Sequence, residues 1–243
     1  MSQAHYVIFH PDNQRSHIKI SAIAIINNQI DKHWSGNVYV DKIDYGNEDP
    51  FVFNNPWLYS YCHASQLRRQ TRKDSWLQKG SWLFFASGEN ANKGFLTFDT
   101  IFLIGSVHKW FNTPLDLPTK YQGIQRTKKS ILWKRHFKFP FQGIHSGVTH
   151  TYEADLWDTT KNKYSFLPLG RDNNRVTIPF EELTYPLFQK VHKNVTGKYP
   201  VLLTQSETLE ILTLVEQKVK TKVLKNISRD KIGRASCRER VCT

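Results

Sequence analysis

A basic segment runs directly into an apolar stretch in the first third of the chain. The sequence QLRRQTRK, residues 66–73, crowds arginines and a lysine together just before KGSWLFFASG, residues 79–88. Guanidinium groups form charge-assisted hydrogen bonds to phosphate, and nearby aromatic rings can stack on bases. Hydroxyl and imidazole groups suit the rim of a base pocket, and a glycine lets a base approach the backbone closely. These residue types define a candidate nucleotide-binding set, which comprises Tyr61, His63, Ser65, Arg68, Arg69, Arg72, Trp82, Ser87 and Gly88.

The same residues also have a simpler structural interpretation. Large aromatic residues such as Trp82 are found more often in a protein core than on a stacking platform. A run of arginines can equally form a solvated surface that binds nothing. The sequence leaves both interpretations open.

A second stretch offers ligands for a metal ion. HSGVTHTYEADLWD, residues 145–158, contains imidazole and carboxylate groups of the kind that hold Mg²⁺, Mn²⁺ or Zn²⁺ for phosphodiester cleavage. On a strand, however, alternation would place Glu153 and Asp155 on one face and His150 on the other, so these ligands would diverge. The sequence also lacks a P-loop, an HExxH motif and a Gly-x-Ser-x-Gly motif, so we expect no catalytic residue and no cofactor. The alternative metal site comprises His145, His150, Glu153 and Asp155.

The chain as a whole is strongly basic. Its 243 residues carry a formal net charge of +13, and 39% of them are hydrophobic. That length and composition suffice for one large domain or two small ones with a proper core. The charge favours a polyanionic partner, because clustered Lys and Arg release condensed counterions when they meet phosphates. An ordinary basic protein without such a partner is the alternative.

The C-terminal residues differ in character from the rest of the chain. IGRASCRERV, residues 232–241, resembles the translation of a sequencing-adapter oligonucleotide, which predicts a non-native tail over residues 232–243. Without this tail the chain loses three arginines and one glutamate, so the formal charge falls by two, to +11. The tail also holds two of the three cysteines. The remaining Cys62 cannot form a disulfide framework or a cysteine zinc cluster, and we expect it to be a buried thiol in a reducing compartment.

The sequence predicts neither a targeting segment nor a membrane span. The first residues, MSQAHYVIFHPDNQR, contain no basic segment followed by an uninterrupted apolar run. No later stretch offers about 18 consecutive apolar residues. We therefore expect a soluble cytoplasmic protein with no membrane partner, while its oligomeric state stays open.

The elements that must position the candidate residues are mostly strands. Stretches rich in β-branched and aromatic residues, several with apolar and polar residues alternating at period two, are separated by Gly, Asn and Pro. Two polar turn clusters, DTTKNK and GRDNNR, predict a hairpin region over residues 158–183. The fold class predicted is α+β, a β-rich domain with a few flanking helices and a C-terminal helix. Strands are predicted at residues 6–9, 17–26, 34–40, 81–87, 94–107 and 149–157.

Three segments favour helices. The first starts at Asn55 with Pro56 as its first helical residue, where no N–H partner is needed, and the second covers residues 126–137. The third covers residues 204–223, since Thr204 and Glu207 have the spacing of a capping box. Its predicted buried face consists of Leu209, Leu212, Val215 and Val219.

A break near residues 140–147, PFQGIHSG, predicts a boundary within the chain. Residues 1–142 would form the nucleotide-binding or nucleic-acid-binding domain. Residues 143–225 would contribute the hairpin region and the C-terminal helix, either as a second unit or as part of the same domain. No internal repeat is evident.

The opening stretch resembles a known superfamily. A Lys-Gly-Ser turn, a strand of large apolar residues, a Gly-containing hairpin and a second strand occur in KGSWLFFASG followed by FDTIFLIGSVHKW. This arrangement resembles the core of the PUA-like superfamily, including its EVE and ASCH groups, and is most similar to the nucleotide modification associated domain proteins. The resemblance covers residues 55–110. Ser81 stands where the family usually has Asp, and Ser can also hydrogen-bond to the backbone of its own turn.

The resemblance implies a fold and a class of function. The fold would be a small, strongly bent PUA-like barrel whose mouth holds a nucleobase or a modified nucleotide, with no chemistry of its own. The function would be non-catalytic binding of nucleic acid, DNA or RNA, or of a modified nucleotide, in association with a DNA-modification or restriction system of phage defence. The alternative that the sequence leaves open is a metal-dependent nuclease of a phage-defence or mobile-element system.

Overall fold

The protein has a mixed α+β fold that is rich in strands, as the sequence predicts. The computed structural model describes residues 3–12, 15–41, 51–54, 57–61, 67, 77–109, 150–195 and 200–226. The helix predicted at residues 126–137, the boundary at 140–147, Cys62 and the tail at 232–243 lie outside the described residues. None of the described helices is long and apolar enough to cross a membrane.

The described part of the chain contains twelve strands and three α-helices. The strands are β1 (His5–His10), β2 (Arg15–Ile26), β3 (Gln29–Asp41), β4 (Phe51–Asn54), β5 (Trp57–Tyr61), β6 (Trp82–Ser87), β7 (Phe95–Lys109), β8 (His150–Ala154), β9 (Leu167–Leu169), β10 (Val176–Pro179), β11 (Val201–Leu203) and β12 (Thr221–Asn226). The helices are α1 (Gly88–Ala91), α2 (Tyr185–Val195) and α3 (Gln205–Lys218), and two 3₁₀ turns cover Arg171–Asn173 and Phe180–Glu182.

The strands form two sheets. The larger, eight-stranded sheet has the order β11-β1-β6-β7-β8-β5-β4, with β10 also paired to β7, and the smaller sheet has the order β3-β2-β12-β9. Strands β8, β10, β11 and β12 pair with β5, β7, β1 and β2, so strands from the last hundred residues join strands from the first hundred in both sheets. In the smaller sheet, β2 and β3 form a long hairpin whose turn residues Asn27 and Asn28 both have positive φ, as a tight two-residue turn requires.

The pairing of β1 with β6 brings two distant loops together. These strands are parallel neighbours, with Tyr6 opposite Leu83 at one end and His10 opposite Ser87 at the other. The carboxyl ends of parallel strands meet at the same edge of a sheet. The residues that come after β1 and β6 therefore lie side by side.

Alternation along the strands separates two cores. On β6, Leu83 and Phe85 belong to the core that joins the larger sheet to the smaller one through residues such as Ala22 and Val223. Trp82 and Phe84 belong to the second core, which includes buried residues of α2 and α3. Because every β6 residue is buried, the strand reads as a continuous apolar run, which is how the sequence predicts it.

The start of the helix predicted from Asn55 is wrong, although Leu67, further along the same predicted segment, is helical. Residues Phe51–Asn54 and Trp57–Tyr61 instead form an antiparallel hairpin, with Asn54 opposite Trp57. Two physical reasons favour the hairpin: a residue before proline disfavours the helical region, and the flanking residues are aromatic and β-branched strand formers. Asn55 and Pro56 themselves lie outside the described residues.

The hairpin predicted over residues 158–183 forms only at its turn, where Leu169 and Arg175 make a single antiparallel bridge. Strand β9 pairs with β12 in the smaller sheet, whereas β10 pairs with β7 in the larger one. The polar cluster between them forms the 3₁₀ turn Arg171–Asn173, in which Asp172 has positive φ. The turn signal is real, but it carries the chain from one sheet to the other.

The C-terminal helix is confirmed, although its end and its buried face differ from the prediction. Thr204 caps α3, and Glu207 completes the capping box. The helix ends at Lys218 because the following residues form β12 beside β2. Of the predicted face, Val215 is fully buried and Leu212 and Val219 are partly buried against the second core, whereas Leu209 is 52% exposed; Ile211, which was not predicted, is fully buried. Helix α2 has no counterpart among the predicted elements.

Candidate functional site

A cavity opens where the parallel strands β1 and β6 end. Its volume is about 270 Å³. The end of β1, the start of α1 and the last residue of α2 enclose it. Its lining residues are Phe9, His10, Pro11, Gly88, Glu89, Asn92 and Val195.

Gly88 lets these two chain segments approach closely. A Cβ atom at this position would lie 3.3 Å from the backbone carbonyl oxygen of His10, which is tighter than ordinary van der Waals contact. The glycine thus sets the width of the cavity floor. A residue with a side chain here would have to displace the end of β1 by a few tenths of an ångström.

A group of ionisable side chains lies directly beneath the cavity. Asp99, in the middle of β7, has a fully buried side chain, and its Oδ2 atom contacts Nε2 of His10. Arg15 Nε donates a hydrogen bond to Nδ1 of His10 over 3.0 Å. Because Nδ1 accepts a hydrogen, Nε2 carries the ring hydrogen that points at Asp99. Both ring nitrogens of His10 are therefore engaged by protein groups.

Arg175 joins this group from the start of β10. Its Nη1 atom donates to Oδ1 of Asp99 at 3.0 Å and to Oδ1 of Asp12 at 2.9 Å, and Nη2 donates to Oδ2 of Asp12 at 3.2 Å. The guanidinium also lies over the ring of Tyr39, 4.1 Å from its centroid. We call His10, Asp12, Arg15, Asp99 and Arg175 the charge network. It holds two carboxylates against two guanidinium groups.

The pKa values follow from this pairing. Burial alone would raise the pKa of Asp99, but the contact with His10 and the charges of Arg15 and Arg175 outweigh it and lower the pKa to about 2. Burial alone would lower the pKa of Arg175, but the hydrogen bonds and charges of Asp12 and Asp99 raise it well above its usual range. Asp99 is therefore ionised and Arg175 protonated at neutral pH.

Ser87 ties the charge network to the cavity floor. Its hydroxyl donates to Oδ2 of Asp12 over 2.9 Å and accepts a hydrogen bond from the backbone N–H of Asn90. Ser87 is thus the N-cap of α1. On the other side of the same loop, the backbone N–H of Asp12 donates to Oε2 of Glu89 over 2.8 Å. These bonds fix the ends of β1 and β6 to one another.

The structure brings together only part of the nucleotide-binding set predicted from the sequence. Ser87 lies beneath the cavity and Gly88 lines it. Tyr61 is 1% exposed and packs against Phe85 in the first core, whereas Trp82 is 7% exposed and stacks on Phe84 in the second. The remaining predicted residues, His63, Ser65, Arg68, Arg69 and Arg72, lie outside the described residues.

The residues of the alternative metal site have other partners where the structure describes them. Glu153 accepts a hydrogen bond from the hydroxyl of Ser106 at 3.3 Å, and Asp155 accepts one from the ammonium of Lys161 at 2.5 Å. His150 begins β8, and His145 lies outside the described residues. Within the described ranges, no group of three or more His, Cys, Asp or Glu side chains is placed to hold a metal ion.

Sequence reasoning missed the charge network and the polar side of the cavity. One signal was available, because Asp99 interrupts the apolar run GFLTFDTIFLIG and a carboxylate inside such a strand requires a buried partner. Sequence spacing did not identify that partner, since Arg175 lies 76 residues from Asp99 along the chain. Glu89 and Asn92 carried no signal beyond their place in a polar turn.

Comparison of the chain with models of protein families, with curated proteins and with solved structures finds no match. The cavity combines apolar walls with a carboxylate and a carboxamide, beside a charge network that is already paired.

Proposed function

We propose that the protein binds nucleic acid or a modified nucleotide without catalysing a reaction, and that the cavity at the ends of β1 and β6 takes the base. The observation that carries this proposal is the cavity itself, with apolar faces and polar edges, in a chain of net charge +13. Nucleobases need such a combination, because they present flat apolar faces and a hydrogen-bonding rim.

The volume of the cavity supports a base-sized ligand. Pockets for drug-sized molecules measure roughly 300–1,000 Å³, and this cavity, at about 270 Å³, falls just below that range. One base fits such a space, with its sugar and phosphate left at the mouth. A dinucleotide would not fit inside.

The lining residues divide into walls and edges. Phe9, Pro11 and Val195 supply apolar surface for the faces of a base. Glu89 and Asn92 supply hydrogen-bonding groups for its edge. Burial of the faces gives affinity, and pairing at the edge gives specificity.

The basic charge of the chain supports binding of the phosphates. Arg68, Arg69 and Arg72 remain predicted phosphate contacts, and they fall in the stretch of sequence that leads towards β6. Phosphate contacts position a nucleic acid without reading its sequence, so a basic surface and a base cavity have separate tasks. The resemblance of residues 55–110 to the PUA-like superfamily supports the same class of ligand, and a place beside a DNA-modification or restriction system in the cytoplasm is part of the proposal.

The engagement of His10 supports binding without catalysis. A general base needs a nitrogen within hydrogen-bond reach of the substrate proton. In His10, one ring nitrogen faces Asp99 and the other accepts from Arg15. His10 therefore has a structural role, linking Asp99 to Arg15 at the cavity floor.

Filling the cavity tests the proposal. Asn92→Trp places a large ring in the cavity mouth, and Asn174→Trp makes the same change at an exposed position away from it. We expect Asn92→Trp to weaken binding of nucleoside monophosphates and of a single-stranded oligonucleotide by roughly tenfold or more, as loss of base stacking would. Asn174→Trp should bind as the unaltered chain does. Equal affinity of both variants for these ligands, measured by calorimetry, would contradict the location of the base.

A further inference from the structure

Two solvent-exposed polar side chains that line the cavity, Glu89 and Asn92, keep hydrogen-bonding groups that no described residue occupies. Glu89 accepts one hydrogen bond at Oε2, from the backbone N–H of Asp12, and no cation contacts it within the described part of the chain. The side chain of Asn92 makes no hydrogen bond to another described residue. Both belong to the α1 segment, three positions apart, so they lie on the same side of that turn. Oε1 of Glu89, the second lone pair of its Oε2 atom and the carboxamide of Asn92 are thus left to face a ligand.

The charges around the cavity decide what kind of ligand atom can enter. Arg15 and Arg175 are the cations of the charge network; they contact His10, Asp12 and Asp99, and neither is among the residues that line the cavity. Among the described residues that line the cavity, Glu89 is the one with a charged side chain, and its charge is negative. A phosphate inside would meet this carboxylate without a compensating cation, which is unfavourable. A group with N–H donors would be attracted.

Because a carboxylate and a carboxamide lie together in the cavity lining, we infer that the cavity selects a base whose edge presents two adjacent N–H donors next to a carbonyl. This is the Watson–Crick edge of guanine. This inference rests on the proposed function and names the base class it takes. The carboxylate of Glu89 accepts from N1–H and from the exocyclic amino group, and the carboxamide of Asn92 donates to O6. The phosphate remains at the mouth.

The other bases do not match this arrangement. Adenine presents the ring acceptor N1 where guanine has N1–H, so it would place a lone pair against the carboxylate of Glu89. Uracil has one N–H between two carbonyl acceptors. Cytosine has an amino donor beside an acceptor nitrogen. Hypoxanthine keeps N1–H and O6 but lacks the exocyclic amino group, so it tests the second donor alone.

The experiment compares monophosphates on the full chain. We expect GMP to bind roughly tenfold more tightly than IMP at fixed low ionic strength, and more tightly than AMP, CMP or UMP, because a bidentate pair discriminates by about this factor. Glu89→Gln should remove the preference for GMP over IMP, since an amide offers a single acceptor oxygen. Glu181→Gln, at an exposed position away from the cavity, should keep the preference.

Asn92→Ala provides an independent signature. GMP and IMP share the O6 carbonyl, so loss of the carboxamide should weaken both equally and leave their ratio unchanged. A structural collapse of the cavity would instead remove the ratio together with the affinity. Thermal melting of each variant checks that it folds, and the ratio measured on the unaltered chain decides the question even if Glu89→Gln fails to fold.

The outcomes separate this inference from the proposed function. Binding of several monophosphates without preference for GMP over IMP, or a preference that survives Glu89→Gln, overturns the guanine assignment alone. Failure of the unaltered chain to bind any monophosphate or oligonucleotide overturns both.

Discussion

The charge network and the cavity lie side by side, yet their polar groups are in opposite situations. In the network, Asp99 is fully buried and held by His10, Arg15 and Arg175. In the cavity, Glu89 and Asn92 keep hydrogen-bonding capacity that the fold does not use. Polar groups that satisfy one another fix a structure, whereas unpaired polar groups at a cavity are available to a ligand. The network and the cavity should therefore respond differently to substitution.

The largest effect is expected on stability, at Asp99. Asp99→Asn removes the charge that compensates two guanidinium groups, and breaking a buried ion pair by removing one partner costs about 3–5 kcal/mol. The free energy of unfolding, measured in urea, should fall by roughly this amount. Glu181→Gln makes the same chemical change at an exposed site and should cost less than about 0.5 kcal/mol. Similar losses for the two variants would show that the network does not stabilise the fold.

Acid should act on the same residue. The pKa of Asp99 is about 2 in the folded protein, against an ordinary value of 3.8, so the stabilising effect of its charge is fully present above about pH 4 and is lost as the pH falls towards 2. The shift corresponds to about 2 kcal/mol. Unfolding curves at a series of pH values should show this loss in the unaltered chain and a smaller loss in Asp99→Asn. Parallel curves for the two chains would contradict the assigned pairing.

A change at the predicted phosphate contacts should affect binding while leaving stability intact. Replacing Arg68 and Arg69 by Ala should weaken oligonucleotide binding by roughly 1–3 kcal/mol, which is the range for charge-assisted hydrogen bonds. Lys32 and Lys163, both exposed, give a control when replaced by Ala, because the same two charges are removed elsewhere. Equal weakening by the two pairs would show that general charge, and not these arginines, accounts for the affinity.

The smallest effect is expected at Asp155. Its side chain pairs with Lys161 at a partly exposed site, so Asp155→Ala should cost at most about 1 kcal/mol of stability and leave oligonucleotide affinity unchanged. The unaltered chain should release no fragments from DNA when Mn²⁺ is added. Cleavage that requires Mn²⁺ and disappears in Asp155→Ala would instead establish the nuclease alternative.

The predictable part of this fold is the part set by local pattern. Strand β6 follows from an unbroken apolar run, and the start of α3 follows from the capping box of Thr204 and Glu207. The helix start predicted at Asn55 failed because Pro56 suits a helix start and a turn equally well, and the partner strand at Phe51–Asn54 decided between them. Local signals do not name the strand that pairs across a sheet.

The sequence indicated the candidate site only where a predicted strand ends at a turn. Ser87 and Gly88 end an apolar run, which marked them as a place of close approach, and they lie at the cavity. His10, Arg15 and Arg175 gave no sign of belonging together, because β1, β2 and β10 are brought together by sheet pairing across most of the chain. A long-range charge network of this kind becomes visible only once strand order is known.

We propose that this basic chain binds nucleic acid, with the phosphates outside the cavity and a base within it. The most direct measurement is the affinity of the unaltered chain for a fluorescent single-stranded oligonucleotide, monitored by anisotropy across a series of salt concentrations. Binding through several phosphates predicts that the logarithm of the association constant falls linearly with the logarithm of the salt concentration, with a slope of about −0.7 per phosphate contact for a single strand. A constant affinity across that series, or no binding at the lowest salt concentration, would contradict the claim.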